Sequence, residues 1–170
     1  MNEEEKKSLI ESVKSTLVDA INKSFGSTQA DSKVEVVDEE MVSYEVVYEP
    51  FVKDAHNQWM SDTTIEKAAT NFNKNLEAGI VQPNLFHMQD TEAFTIESTW
   101  VQKELDVQVV QTGEVIRAGT WVAKIKYNDP DLWELRKANI VGGVSIGGSG
   151  YINKETGEIT NVTFDRKGDD

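Results

Sequence analysis

Residues 138–151 read Ala-Asn-Ile-Val-Gly-Gly-Val-Ser-Ile-Gly-Gly-Ser-Gly-Tyr, a short apolar run in which Ser145 lies between two pairs of glycines. The reading of this stretch decides the fold class. Gly143-Val144-Ser145-Ile146-Gly147 satisfies the letters of the Gly-x-Ser-x-Gly nucleophile elbow, which needs a strand turning sharply into a helix. The flanking residues instead look extended, with Tyr151 and Ile152 continuing a strand. The elbow is therefore rejected, and an α/β-hydrolase sheet with it. Gly147-Gly148-Ser149-Gly150 is not a phosphate loop either, because no Lys-Ser/Thr follows to close it. The glycines do leave backbone room for another chain or a substrate to approach. Ser145 is thus either a plain strand residue or a nucleophile on the floor of a cleft, and the second role needs a base.

The surrounding pattern is rich in strands. Val42, Tyr44, Val46 and Tyr48 alternate with Ser43, Glu45, Val47 and Glu49 and predict a strand ended by Pro50. Further strands are expected over 84–88, 94–103, 105–111, 119–127, 141–152 and 158–164, with turn residues at 111–113 and 154–157. Thr63 and Glu66 have capping-box spacing, and Ile65, Ala69, Phe72 and Leu76 form a helical stripe closed by Gly79. Asp129-Pro130 opens a short helix whose apolar face is Leu132, Trp133 and Leu135. Short strands without regular strand–helix alternation predict an α+β fold, a mostly antiparallel β-barrel or sandwich with helices packed outside.

Upstream of this body, Ile10, Val13, Leu17, Ile21 and Phe25 predict an amphipathic helix over 3–25, stopped by Gly26 and followed by a polar linker. It reads as an appendage that packs on the body or docks a partner. The expected organisation is an N-terminal helix and linker over 1–33, a barrel domain over 34–165 and a charged tail over 166–170.

Lys plus Arg number 17 and Asp plus Glu 30, a net charge of −13. That balance argues against binding nucleic acid or anionic lipid, both of which need a basic face. The absence of cysteine excludes disulfides, thiolate metal sites and a cysteine nucleophile. Two distant histidines without an HExxH pattern make no zinc site, so no metal and no cofactor is expected. No apolar run reaches membrane-span length, and the charged N-terminus is not a secretory signal, which reads as a cytosolic protein.

His87 lies in the segment Gln82-Pro83-Asn84-Leu85-Phe86-His87-Met88-Gln89-Asp90, and a lone histidine in an apolar strand is more often a core residue than a base. His56, in the polar loop 54–58, reads as surface. Carboxylates are too abundant for any pair to mark a glycosidase. Trp59, Trp100, Trp121 and Trp133, spread over different elements, read as core rather than as a sugar platform.

Several pieces recur in a fixed order. Tyr48-Glu49-Pro50 precedes Asp54 and Trp59-Met60-Ser61, then Ile65-Glu66-Lys67-Ala68-Ala69 with Phe72, then His87. Glu97-Ser98-Thr99-Trp100-Val101, Gly119-Thr120-Trp121-Val122, Asp131-Leu132-Trp133 and Gly142-Gly143-Val144-Ser145-Ile146-Gly147-Gly148 follow. Over about residues 44–152 this set resembles the phage prohead (capsid maturation) serine proteases, in their XkdF-like branch. The resemblance implies a barrel like that of herpesvirus assemblin and a serine endopeptidase with His87 as base and Ser145 as nucleophile. It implies a third, orienting residue after the serine. Asp165 is the best acid there, with Glu97 and Glu158 as alternatives. The implied substrates are the phage scaffold and major capsid proteins and the chain itself, inside an assembling prohead in the host cytoplasm, with a homo-oligomer among the implied partners. The competing readings are a noncatalytic capsid-assembly or scaffold-binding module that keeps the fold, and an unrelated small-ligand-binding barrel.

Overall fold

A computed structural model describes residues 33–37, 40–85, 89–110, 112–142, 144 and 147–164. The expected helix over 3–25 and the charged tail lie outside these residues. The elements run β1 (Lys33–Val37), β2 (Val42–Tyr48), α1 (Asp62–Glu77), β3 (Asn84–Leu85), β4 (Gln89–Asp90), β5 (Phe94–Val101), β6 (Val107–Gln108) and β7 (Val115–Ile116). They continue with β8 (Trp121–Tyr127), α2 (Pro130–Lys137), β9 (Ser149–Ile152) and β10 (Ile159–Thr163).

The fold is mixed α+β with antiparallel strand pairing. Its centre is a four-stranded sheet ordered β1-β2-β8-β5, and β6–β7, β3–β4 and β9–β10 form separate two-stranded sheets. The expected closed barrel is not found among the described residues. β1 and β5 are the two edges of an open sheet, and the remaining strands pair only as hairpins. Strand β8 is paired on both sides, so it carries the long apolar run Trp121-Val122-Ala123 and buries five of its seven residues.

Helix α1 presents Ile65, Ala68, Ala69 and Phe72 to the sheet, where they meet Met60, Trp121 and Phe164. Phe72, Trp121 and Phe164 pack mutually edge-on, with ring centroids 5.1–5.9 Å apart. Each such pair adds about 0.5–1.5 kcal/mol beyond the area it buries. Helix α2 closes the other end, with Leu132 and Trp133 against Ala123, Ile125 and Tyr127.

Both helices lie where the sequence predicts them, but α1 is capped differently. Ser61, two residues before Thr63, is the N-cap, and its Oγ accepts the Thr64 N–H at 3.2 Å. Glu66, the expected capping-box partner, pairs instead with Lys103. At the other end Gly79 (φ +70°) donates its N–H to Leu76 O while Ile80 N–H reaches Asn75 O, the two bonds of a Schellman motif. In α2, Asp129 Oδ1 accepts from Asp131 and Leu132 N–H, as its N-cap position predicts.

Two expected strands are shorter than predicted. Among the described residues of 105–111 only Val107–Gln108 is a strand, because a turn with Glu104 at φ +70° redirects the chain after β5. Among the described residues of 141–152 only Ser149–Ile152 is a strand. The amides of Ile140 and Val141 are both taken by Leu135 O at the end of α2, leaving them no strand partner there.

Candidate active site

Ser145, His87 and Asp165 lie outside the described residues; the structure describes residues 144 and 147 around the first, 85 and 89 around the second, and 164 before the third. The chain reaches Ser145 from α2. Among the described residues no helix follows it as an elbow requires: helix α2 precedes this segment and strand β9 follows. Val141 and Val144 pack against the Ala123, Ile125, Tyr127, Leu132 and Trp133 cluster. Beyond Ser145, Gly148 abuts the end of β10. A Cβ at Gly148 would lie 2.8 Å from Phe164 Cε1 and 2.9 Å from Thr163 O. The room this glycine leaves is therefore filled by the neighbouring strand. Phe164, the residue before Asp165, is held on α1 by its own N–H, which donates to Asn71 Oδ1 at 3.0 Å.

His87 belongs to the three residues that join β3 to β4. The two strands pair Leu85 with Gln89 and Asn84 with Asp90, and Thr91 N–H donates to Pro83 O just outside them. His56 is a surface residue, as expected. Its backbone N–H and that of Gln58 both donate to Asp54 Oδ1, which folds the 54–58 turn. Of the alternative orienting acids, Glu97 is engaged by Lys124 Nζ at 2.7 Å, and this hydrogen bond raises the lysine's pKa. Glu158 lies where the β9–β10 hairpin bridges Trp59.

A buried ion pair at the end of α2 was not anticipated from the sequence. Glu45 on β2 is 1% exposed and Arg136 on α2 is fully buried. They form a two-pronged ion pair, Nε to Oε1 at 2.9 Å and Nη2 to Oε2 at 2.8 Å. The planar guanidinium matches the carboxylate fork, which satisfies both charges away from water. The third nitrogen, Nη1, donates to Asn139 Oδ1 at 3.3 Å. Beside them Tyr127 receives a hydrogen bond from Ser43 Oγ, and burial pushes its phenol pKa up. The available signal was Arg136 itself, three and four residues after Trp133 and Leu132, on the inward stripe of α2.

On the opposite side of the pleat, Tyr44, Trp100, Val107, Val109, Ile116 and Val122 line a groove of about 400 Å³. Leu105 and Val110 nearby are 74% and 98% exposed. Among the described residues no cluster of three or more acidic or histidine side chains is placed to hold a metal ion, and no helix is long and apolar enough to cross a membrane.

The sequence matches the model of the family described as "Putative phage serine protease XkdF" over residues 30–154, a span that contains both His87 and Ser145. Two proteins of Bacillus subtilis (strain 168) are similar to it. "Uncharacterized protein YqbD" is 30% identical over 132 residues, 77% of this chain and 38% of that protein. "Phage-like element PBSX protein XkdF" is 32% identical over 118 residues, 69% of this chain and 40% of that protein. The chain thus spans about two fifths of the length of these curated relatives. No solved structure matches. With its family's pattern running through most of its length, the chain belongs to the family described as "Putative phage serine protease XkdF".

Proposed function

We propose that this protein is a serine endopeptidase of phage prohead maturation, with Ser145 as nucleophile and His87 as general base. Family membership over residues 30–154 is the observation that carries the reading, since it covers both residues. In the proposed reaction Ser145 Oγ bonds to the scissile carbonyl carbon as its proton passes to His87. His87 returns that proton to the leaving amine as the C–N bond breaks, and water then hydrolyses the acyl-enzyme by the same route. Backbone N–H groups of the glycine-rich segment would hold the oxyanion.

Asp165 is proposed to orient His87. It lies beyond the family match, and its support is the contact between Gly148 and Phe164, which runs the chain after Ser145 beside the residue preceding Asp165. Glu97 is a weaker choice because Lys124 already holds it. The proposal extends to scaffold and major capsid proteins, and the chain itself, as substrates inside the prohead, to self-association, and to a relation with herpesvirus assemblin.

The test is incubation of the full chain, and of Ser145→Ala, with the scaffold protein of the same phage. Cleavage by the wild-type chain that Ser145→Ala abolishes is the expected result. Equal cleavage by both removes Ser145 from the mechanism. A wild-type chain that binds the scaffold without cutting it makes the protein a noncatalytic assembly module.

A further inference from the structure

We propose that the groove between the central sheet and the β6–β7 hairpin docks a polypeptide segment of a partner protein, one whose bulky apolar side chains are flanked by Lys or Arg. This holds whether or not the chain is a protease. One wall of the groove is Tyr44, Trp100 and Val122, on the sheet face opposite Glu45, with Tyr44 and Trp100 edge-on at 6.2 Å. The other is Val107, Val109 and Ile116 of the hairpin. Val107 and Ile116 are cross-strand partners and Val109 is two residues along, so the three share one face. Val109 is buried, but Trp100, Val107 and Val115 stay more than a third exposed, and Leu105 and Val110 far more. Apolar side chains massed in one place, rather than scattered singly, mark an interaction surface.

The hairpin pairs with no third strand among the described residues, so its outer edges are open to an extended chain. That favours a polypeptide over a lipid or a small ligand. The rim gives the partner's charge. Glu104, Asp106 and Glu114 adjoin the exposed Leu105, Val107 and Val115, and none of these carboxylates is in an ion pair among the described residues. The neighbouring cations are already taken, Lys103 by Glu66, Arg117 by Glu49 and Lys124 by Glu97. Lys126, four residues beyond Val122, donates to Glu40 O. The groove is therefore apolar with an acidic rim, which a basic flank complements. A second copy is the wrong occupant. A two-fold contact sets a patch against itself, so these carboxylates would meet their own kind on a chain of net charge −13.

The test selects peptides from a random dodecapeptide display library on the full chain. Enriched sequences are expected to combine Leu, Ile, Val, Phe or Trp with a net positive charge. Leu105→Ser/Val110→Ser changes two side chains with little burial to lose, so its melting temperature should equal the wild type's. It is expected to weaken the tightest peptide about 10-fold or more, because the peptide then buries less apolar surface. Glu104→Gln/Glu114→Gln is expected to weaken the same peptide about 3- to 10-fold at low salt and to flatten its salt dependence. No enrichment, enrichment of acidic or neutral peptides, or equal binding by wild type and Leu105→Ser/Val110→Ser overturns the proposal. A wild-type chain that sediments as a dimer while Leu105→Ser/Val110→Ser is a monomer overturns it too, making the occupant a second copy. Flotation of the wild type, but not of that variant, with phosphatidylcholine vesicles overturns it in favour of a lipid surface.

Discussion

Replacing Arg136 by Met leaves Glu45 as a carboxylate in a site only 1% exposed, stripped of its two charge-assisted bonds at 2.8 and 2.9 Å. Removing one partner of a buried pair costs about 3–5 kcal/mol, because the remaining charge keeps its desolvation penalty and loses its compensation. For a chain of this size each kcal/mol lowers the melting temperature by about 2–4 °C, so a drop of about 6–20 °C is expected. Urea unfolding followed by far-UV circular dichroism measures the loss directly, as a lower midpoint at an unchanged slope. The double variant Glu45→Leu/Arg136→Met removes both charges and should recover most of the loss, since apolar replacement of a whole buried pair is often neutral or stabilising by about 1–4 kcal/mol. A single variant that loses less than about 1 kcal/mol would refute the reasoning, because that is the range of pairs that water can reach.

Two further outcomes follow from the packing. Tyr48 donates its hydroxyl to Gln58 O, and burial together with the nearby Asp54 charge pushes its pKa to about 12. Its phenolate absorbance should therefore appear later than in the unfolded chain. The folded state holds this proton where the unfolded state has released it, so the contribution is present below about pH 10 and disappears as pH rises through about 12. A Tyr48 that titrates with the unfolded chain's phenols would contradict this. Gly148→Ala drives a methyl group into Phe164 and the Thr163 carbonyl, and overpacking of this kind costs about 1–3 kcal/mol. Urea unfolding showing no loss would mean that β10 does not press on Gly148.

Much of the local structure was legible in the sequence. The period of Ile65, Ala69, Phe72 and Leu76 placed α1, and Asp129-Pro130 placed the start of α2. Choosing Ser61 over Thr63 as the N-cap was beyond pattern alone, because both residue types cap helices and only the backbone at Ser61, extended at ψ 161°, points its hydroxyl at the Thr64 amide. The family was legible too, since the ordered pieces from Tyr48 to Gly148 fall within the matched span. The Glu45–Arg136 pair was not, because Glu45 looks like an ordinary surface charge until Arg136 is brought to it, and Arg136 showed only its place on the inward stripe of α2.

Alternation along residues 42–49 determined that a strand lies there and divided its side chains into two sets. A period of two does not say which set faces the helices. Tertiary structure decided that, burying Ser43 and Glu45 because Tyr127 and Arg136 arrive from 84 and 91 residues away to satisfy them. The sheet's open edges were decided the same way. Strand propensity is a property of single segments, whereas closure depends on whether distant strands such as β1 and β5 find each other, and among the described residues hairpins took the remaining strands instead.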